Sequence, residues 1–147
     1  MRVFVDANVL FSASLSGQGN AAQLLAIGHS GGCILLTSAH AMREAERNLT
    51  RKRPEALGVL RAHISQVSVL AEEPSMDLVH WAESLGLPAK DSPILAAAIL
   101  ARASLLVTGD RRHFGPHYGR TLKGVRVVSL AEGLLTALTA AEGKERL

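Results

Sequence analysis

Four acidic residues stand at positions where they could do chemistry together: Asp6 in VFVDANVL, Glu44 in TSAHAMREAERNL, Asp91 in LPAKDSPILAAAI and Asp110 in LLVTGDRRHF. Each also has an ordinary structural reading. Asp6 could cap a following helix, with Asn8 making a local turn, and Asp91 could cap the helix after it. Glu44 could be a surface helix residue and Asp110 a turn residue. Gathered within a few ångströms, however, carboxylates repel, and some would be forced to protonate unless a cation sat among them. Mg²⁺ or Mn²⁺ suits such a site, since hard divalent ions prefer oxygen ligands and keep several waters. That chemistry fits phosphoryl transfer, in which water is activated and charge on the leaving oxygen is offset. The lone Cys33 excludes a Cys-based zinc site, and no Glu-x-x-His spacing offers another.

The elements that would have to position these acids alternate along the chain. Short apolar runs at Arg2 to Val5, Cys33 to Thr37, Val67 to Leu70, Leu105 to Thr108 and Val125 to Ser129 predict five strands. Helical spacing predicts helices over Asn20 to His29, Ser38 to Arg53, Pro54 to Gln66, Met76 to Leu85, Ser92 to Arg102 and Leu130 to Ala141. Ser38 and Ser75 are expected N-caps, and Pro93 fits a first helical turn. The helix after Asp91 is apolar all round and should be buried.

This alternation, with strands lacking polar positions, predicts an α/β fold whose mostly parallel five-stranded sheet is covered by helices on both faces. Ligands of such sheets bind beyond the carboxyl ends of the strands, where the strand order reverses. Asp6 and Asp110 follow directly on strands at that edge.

Composition bounds the function classes. At 147 residues, 48% hydrophobic and 20% charged, the chain reads as one globular domain over residues 1–147 with a core at about 2–135. No stretch has the length of a signal peptide or membrane span, so a cytoplasmic location without membrane association is expected. The net charge is +3, and basic residues cluster at Arg43, Arg47, Arg51, Lys52 and Arg53 and from Arg111 to Arg126. Such faces are often merely solvated, but they permit a polyanionic partner. Aromatic residues are 3%, so stacking on bases is scarce and phosphate contacts would dominate. Trp81 is read as core or a dimer contact.

The four acidic motifs, in this order and spacing from Arg2 to about Leu135, resemble the PIN-domain family. The resemblance implies a three-layer α/β/α fold and a Mg²⁺- or Mn²⁺-dependent endoribonuclease. Many chains of this length resemble VapC-like toxins of type II toxin-antitoxin pairs, which implies an RNA substrate, a cognate antitoxin and a homodimer. Carried over, Asp6, Glu44, Asp91 and Asp110 form the metal-binding and catalytic quartet. Asn8, Ser38 and Thr108 support those carboxylates. Helical phase does not choose between Glu44 and Glu46; only the family spacing favours Glu44. Arg111 and Arg112 could neutralise substrate phosphates, or be surface arginines. His113 is read as packing or solvent-exposed.

Two other readings compete: a phosphatase or phosphotransferase with Asp6 as covalent nucleophile, and an inactive PIN-like module serving in RNA binding or assembly. A dehalogenase-like site would want a second Asp where Asn8 stands.

Overall fold

The computed structural model describes residues 1–145. Its strands are β1 (Arg2–Val5), β2 (Ile34–Ser38), β3 (Ser68–Leu70), β4 (Leu105–Val107), β5 (Thr121–Leu122) and β6 (Val125–Val128). Its helices are α1 (Ala7–Leu15), α2 (Asn20–His29), α3 (Ala39–Lys52), α4 (Leu57–Ile64), α5 (Met76–Glu83), α6 (Ser92–Leu100) and α7 (Leu130–Glu145).

The sheet has six strands rather than the five expected, in the order β3-β2-β1-β4-β6-β5. All neighbours are parallel except β5 and β6, which form an antiparallel hairpin. Its turn, Lys123-Gly124, has both φ angles positive, at 48° and 88°, as a two-residue hairpin with right-handed strand twist requires. A two-residue strand carries no usable alternation, and this is why β5 escapes a reading by pattern. Helix α1 escaped the list of helical segments for a related reason. Its residues Ala7, Val9, Leu10, Ala13 and Ser14 are all buried, so it lacks a clean polar face.

The layers follow from the connections. Moving from β1 to β2 to β3 the chain steps in one direction, and from β3 to β4 it crosses back over β1. Right-handed crossovers then put α1 to α4 on one face and α5 and α6 on the other. The packing agrees: α1 contacts α2, α3 and α4, α5 contacts α6, and α7 returns to lie against α2 and β4. The result is an α/β/α sandwich.

Burial explains the apolar strands. Val3, Phe4, Val5, Leu106 and Val107 are fully inaccessible, as expected for a parallel sheet covered on both faces. In α6 every residue from Ile94 to Ala98 is buried, matching its lack of a polar face. Ser38 and Ser75 accept hydrogen bonds from the Ala41 and Leu78 amides as N-caps. Among the described residues no helix is long and apolar enough to cross a membrane.

The strand order reverses between β1 and β4, whose registers pair Val5 with Val107. Asp6 and Thr108 are therefore the first residues beyond the sheet at the point where an open α/β fold leaves a crevice.

Candidate active site

Asp6 ends β1 and is the N-cap residue of α1. Its Oδ1 accepts a 2.6 Å hydrogen bond from the Ala7 amide, so the capping expectation holds for one oxygen. The other, Oδ2, accepts from the Thr108 hydroxyl at 2.8 Å and from the Asn8 side-chain amide at 3.4 Å. Asn8 also accepts a 2.8 Å bond from the Gly109 amide through its Oδ1. The Thr108 hydroxyl in turn accepts from the Asp110 amide at 3.2 Å. Asn8 and Thr108 thus tie the start of α1 to the end of β4 and fix the Asp6 carboxylate between them.

Asp6 is 3% exposed. Burial pushes its carboxyl up to about 7, with Glu44 and Asp91 adding repulsion and the bonds from Thr108 and Ala7 pulling the other way. This group is held where its charge is costly, and the neighbours that raise the cost are other acids.

Asp91 occupies the N-cap position of α6 but has α-helical backbone angles and makes no side-chain capping bond. The plain capping reading fails for it. It is 6% exposed, and its Oδ2 is buried without a hydrogen-bond partner. Burial and then the Asp110 charge raise its carboxyl above the ordinary range, with Glu44 contributing in the same sense. Asp110 differs. Desolvation would raise it, but bonds from the His113 amide and ring outweigh that and hold it below the ordinary value.

His113 was expected in packing or solvent; it stands instead between two of the acids. Its Nδ1 lies 2.9 Å from Asp110 Oδ2 and its backbone amide donates to Asp110 Oδ1 at 3.1 Å. The same Nδ1 is 3.1 Å from Asp91 Oδ2, yet that oxygen lies outside hydrogen-bond geometry. A ring nitrogen carries one proton, and here it is aimed at Asp110. The i to i+3 spacing from Asp110 was visible in the sequence and could have flagged His113.

The remaining expected residues fall into two groups. Glu44 is near enough for its charge to bear on both Asp6 and Asp91, but neither Glu44 nor Asp6 belongs to the group of converging ligand atoms formed by Asp91, Asp110 and His113. Glu46 lies instead in a surface depression with Arg43, Arg47 and Arg51. Ser38 makes no hydrogen bond to any of the four acids; its hydroxyl holds the start of α3, the helix that carries Glu44. Arg111 and Arg112 are exposed beside Asp110 and form no ion pair among the described residues. Two neighbours were not anticipated. Tyr118 donates a 2.8 Å bond to the Thr108 carbonyl, and the Lys90 charge lowers both Asp91 and Asp110. Trp81 is half-buried against the core, with the Lys123 ammonium 4.6 Å from its ring centroid.

A cavity of about 350 Å³ opens next to Ser38, His40, Arg43 and Pro93 but is lined by none of the four acids. Asp91, Asp110 and His113 are the better candidate for chemistry, because their ligand atoms converge and the carboxyl groups there are electrostatically perturbed.

A family model described as PIN domain matches residues 2–112. The chain belongs to the PIN domain family. Solved structures agree on the fold. PAE2754 from Pyrobaculum aerophilum is 20% identical with a TM-score of 0.66, covering 95% of this chain and 99% of that one. VapBC2 from Rickettsia felis, bound to a DNA fragment from their promoter, is 16% identical with a TM-score of 0.64, covering 88% and 98%. VapBC-1 from nontypeable Haemophilus influenzae is 14% identical with a TM-score of 0.60, covering 89% and 99%. No curated protein matches the sequence. All four acids lie inside the PIN-domain match.

The donor set of this PIN domain fits a divalent cation. Asp91, Asp110 and His113 each offer one ligand atom, all within 4.8 Å of one another. The unpartnered Asp91 Oδ2 is an acceptor left without a donor, and a cation would satisfy it.

Proposed function

We propose that this chain is a Mg²⁺- or Mn²⁺-dependent endoribonuclease, the toxin half of a VapC-like toxin-antitoxin pair. It acts in the cytoplasm as a single PIN-like domain over residues 1–147, pairs as a homodimer, and is restrained by a cognate antitoxin. The observation that carries the catalytic part is the buried, unpartnered oxygen of Asp91, whose carboxyl is raised by burial and by the neighbouring charges of Asp110 and Glu44. The VapBC structures among its fold neighbours support the toxin and antitoxin part.

In this reading Asp6, Glu44, Asp91 and Asp110 hold the cation. When bound, it supplies Lewis-acid activation of water and offsets charge at the scissile phosphate. Thr108 and Asn8 orient Asp6 through the bonds to its Oδ2. Ser38 acts at one remove, by fixing the helix that presents Glu44. Arg111 and Arg112, exposed beside Asp110, take the RNA phosphates flanking the scissile bond.

The covalent alternative has less support. Asp6 is 3% exposed, with its carboxylate turned onto the Ala7 amide and the Thr108 hydroxyl, which leaves little room for the in-line approach of a phosphorus atom. An inactive module would have no reason to keep acids in mutual repulsion.

The test is cleavage of a mixed RNA pool by the full chain, free of antitoxin, in Mn²⁺ and in Mg²⁺, for the wild type and Asp6→Asn. Metal-dependent cleavage that is abolished in the variant is expected. An inert wild type across several metals would sink the proposal, and a trapped aspartyl-phosphate from a small ester would replace it with the covalent reading.

A further inference from the structure

The three ligand atoms nearest one another in the site are not all oxygens. His113 Nδ1 is 2.9 Å from Asp110 Oδ2 and 3.1 Å from Asp91 Oδ2. Adjacent ligands of an octahedral ion with bonds of ~2.1 Å stand roughly 3 Å apart, so both separations match edges of such a shell. A hydrogen bond cannot explain the arrangement fully. The single Nδ1 proton serves Asp110, and Asp91 Oδ2 stays buried with no donor. The Asp91 side chain is 9% exposed, so water is a poor substitute. One cation at the centre would satisfy the nitrogen and both oxygens together.

We propose that His113 Nδ1 is itself a ligand, making this an oxygen-and-nitrogen site that prefers Mn²⁺ and other transition-metal divalents to Mg²⁺. The inference rests on the cation-dependent reading above and adds the identity of one donor and the metal preference. Ligation uses the Nδ1 lone pair, so the ring carries its proton on Nε2 in the loaded protein. The backbone supports this. The His113 amide donates to Asp110 Oδ1, which holds the turn in place and keeps the imidazole beside the carboxylate. Mg²⁺ favours oxygen donors and gains little from an imidazole, whereas transition metals accept it readily.

Pulsed EPR on the full chain loaded with Mn²⁺ reads the bond directly. A ¹⁴N coupling of a directly bound nitrogen is expected, converting to ¹⁵N when histidine alone is isotope-labelled. It should vanish in His113→Ala and persist in His40→Gln, whose ring is tied to the Lys90 carbonyl at 3.1 Å. By calorimetry the Mn²⁺ over Mg²⁺ preference should fall about tenfold or more in His113→Ala. The labelled wild type keeps the test decisive if that variant does not fold. Mn²⁺ bound without a nitrogen coupling, or with a coupling lost in His40→Gln, overturns the assignment of His113 and leaves the carboxylate site standing. No Mn²⁺ binding at all overturns both.

Discussion

The Thr108 hydroxyl donates a 2.8 Å hydrogen bond to Asp6 Oδ2, joining residues 102 positions apart across the carboxyl ends of β1 and β4. Thr108 is fully buried, so the bond is shielded from water and sets the direction of the carboxylate. Replacing it by valine keeps the shape and removes the donor. It also removes the acceptor for the Asp110 amide. Thr108→Val is expected to weaken Mn²⁺ binding by roughly 10–100-fold, read by calorimetric titration. An unchanged affinity would show that the Ala7 amide and Asn8 orient Asp6 without Thr108.

Asp6 carries a cost that the cation would relieve. Its carboxyl is raised from 3.8 to about 7 in the folded chain, burial being the main cause. Between those values the native state holds a proton that the unfolded state has lost, so stability of the metal-free protein falls as pH rises through this window. Above about 7 the full cost is present. Asp6→Asn removes the charge, and its side-chain oxygen can still accept from the Ala7 amide. In EDTA the variant should be more stable than the wild type at pH 8, with a flatter dependence between pH 5 and 8. It should also lose the rise in Tm that Mn²⁺ gives the wild type. Denaturation curves at the two pH values decide this.

How far the sequence alone reached depended on the length of each signal. The apolar runs gave β1, β2, β3, β4 and β6, and the reversal of strand order placed Asp6 and Asp110 at one edge. Two-residue β5 offered no periodicity and was missed, and apolar α1 was anticipated only as the helix that Asp6 could cap. The four acids could be chosen from their resemblance to the PIN-domain motifs, but their surroundings could not be read. Asp91 looked like a cap, and only its helical backbone angles and unpartnered oxygen set it apart. His113 shows the same limit, because the fold of the turn after β4, not residue type, brings its ring to Asp91.

Glu44 and Glu46 make a matched pair for experiment, since both are half-buried on α3 and helical phase could not separate them. Only Glu44 bears electrostatically on Asp6 and Asp91. Glu44→Gln should therefore reduce Mn²⁺ affinity at least tenfold and leave the fold intact. Glu46→Gln, which sits among exposed arginines, should change affinity by less than about twofold and stability by at most ~0.5 kcal/mol. Equal losses in both variants would remove Glu44 from the ligand set.

Helix α7 packs on the end of β4, behind the site. A methyl group added at Gly133 would come within 2.6 Å of one Val107 methyl and 2.9 Å of the other. Val107 is fully buried at the end of β4, one residue before Thr108, and has no free space to yield. Gly133→Ala must therefore push α7 away from the strand or shift the strand end, at a cost of about 1–3 kcal/mol for such overpacking. A shifted strand end carries Thr108 with it, so Mn²⁺ affinity should fall along with Tm. Gly143 lies on the same helix with nothing within 4 Å of an added methyl. Gly143→Ala should leave affinity unchanged and raise stability by up to ~1 kcal/mol through helix propensity. If Gly133→Ala lowers Tm but not Mn²⁺ affinity, α7 supports the fold without positioning Thr108.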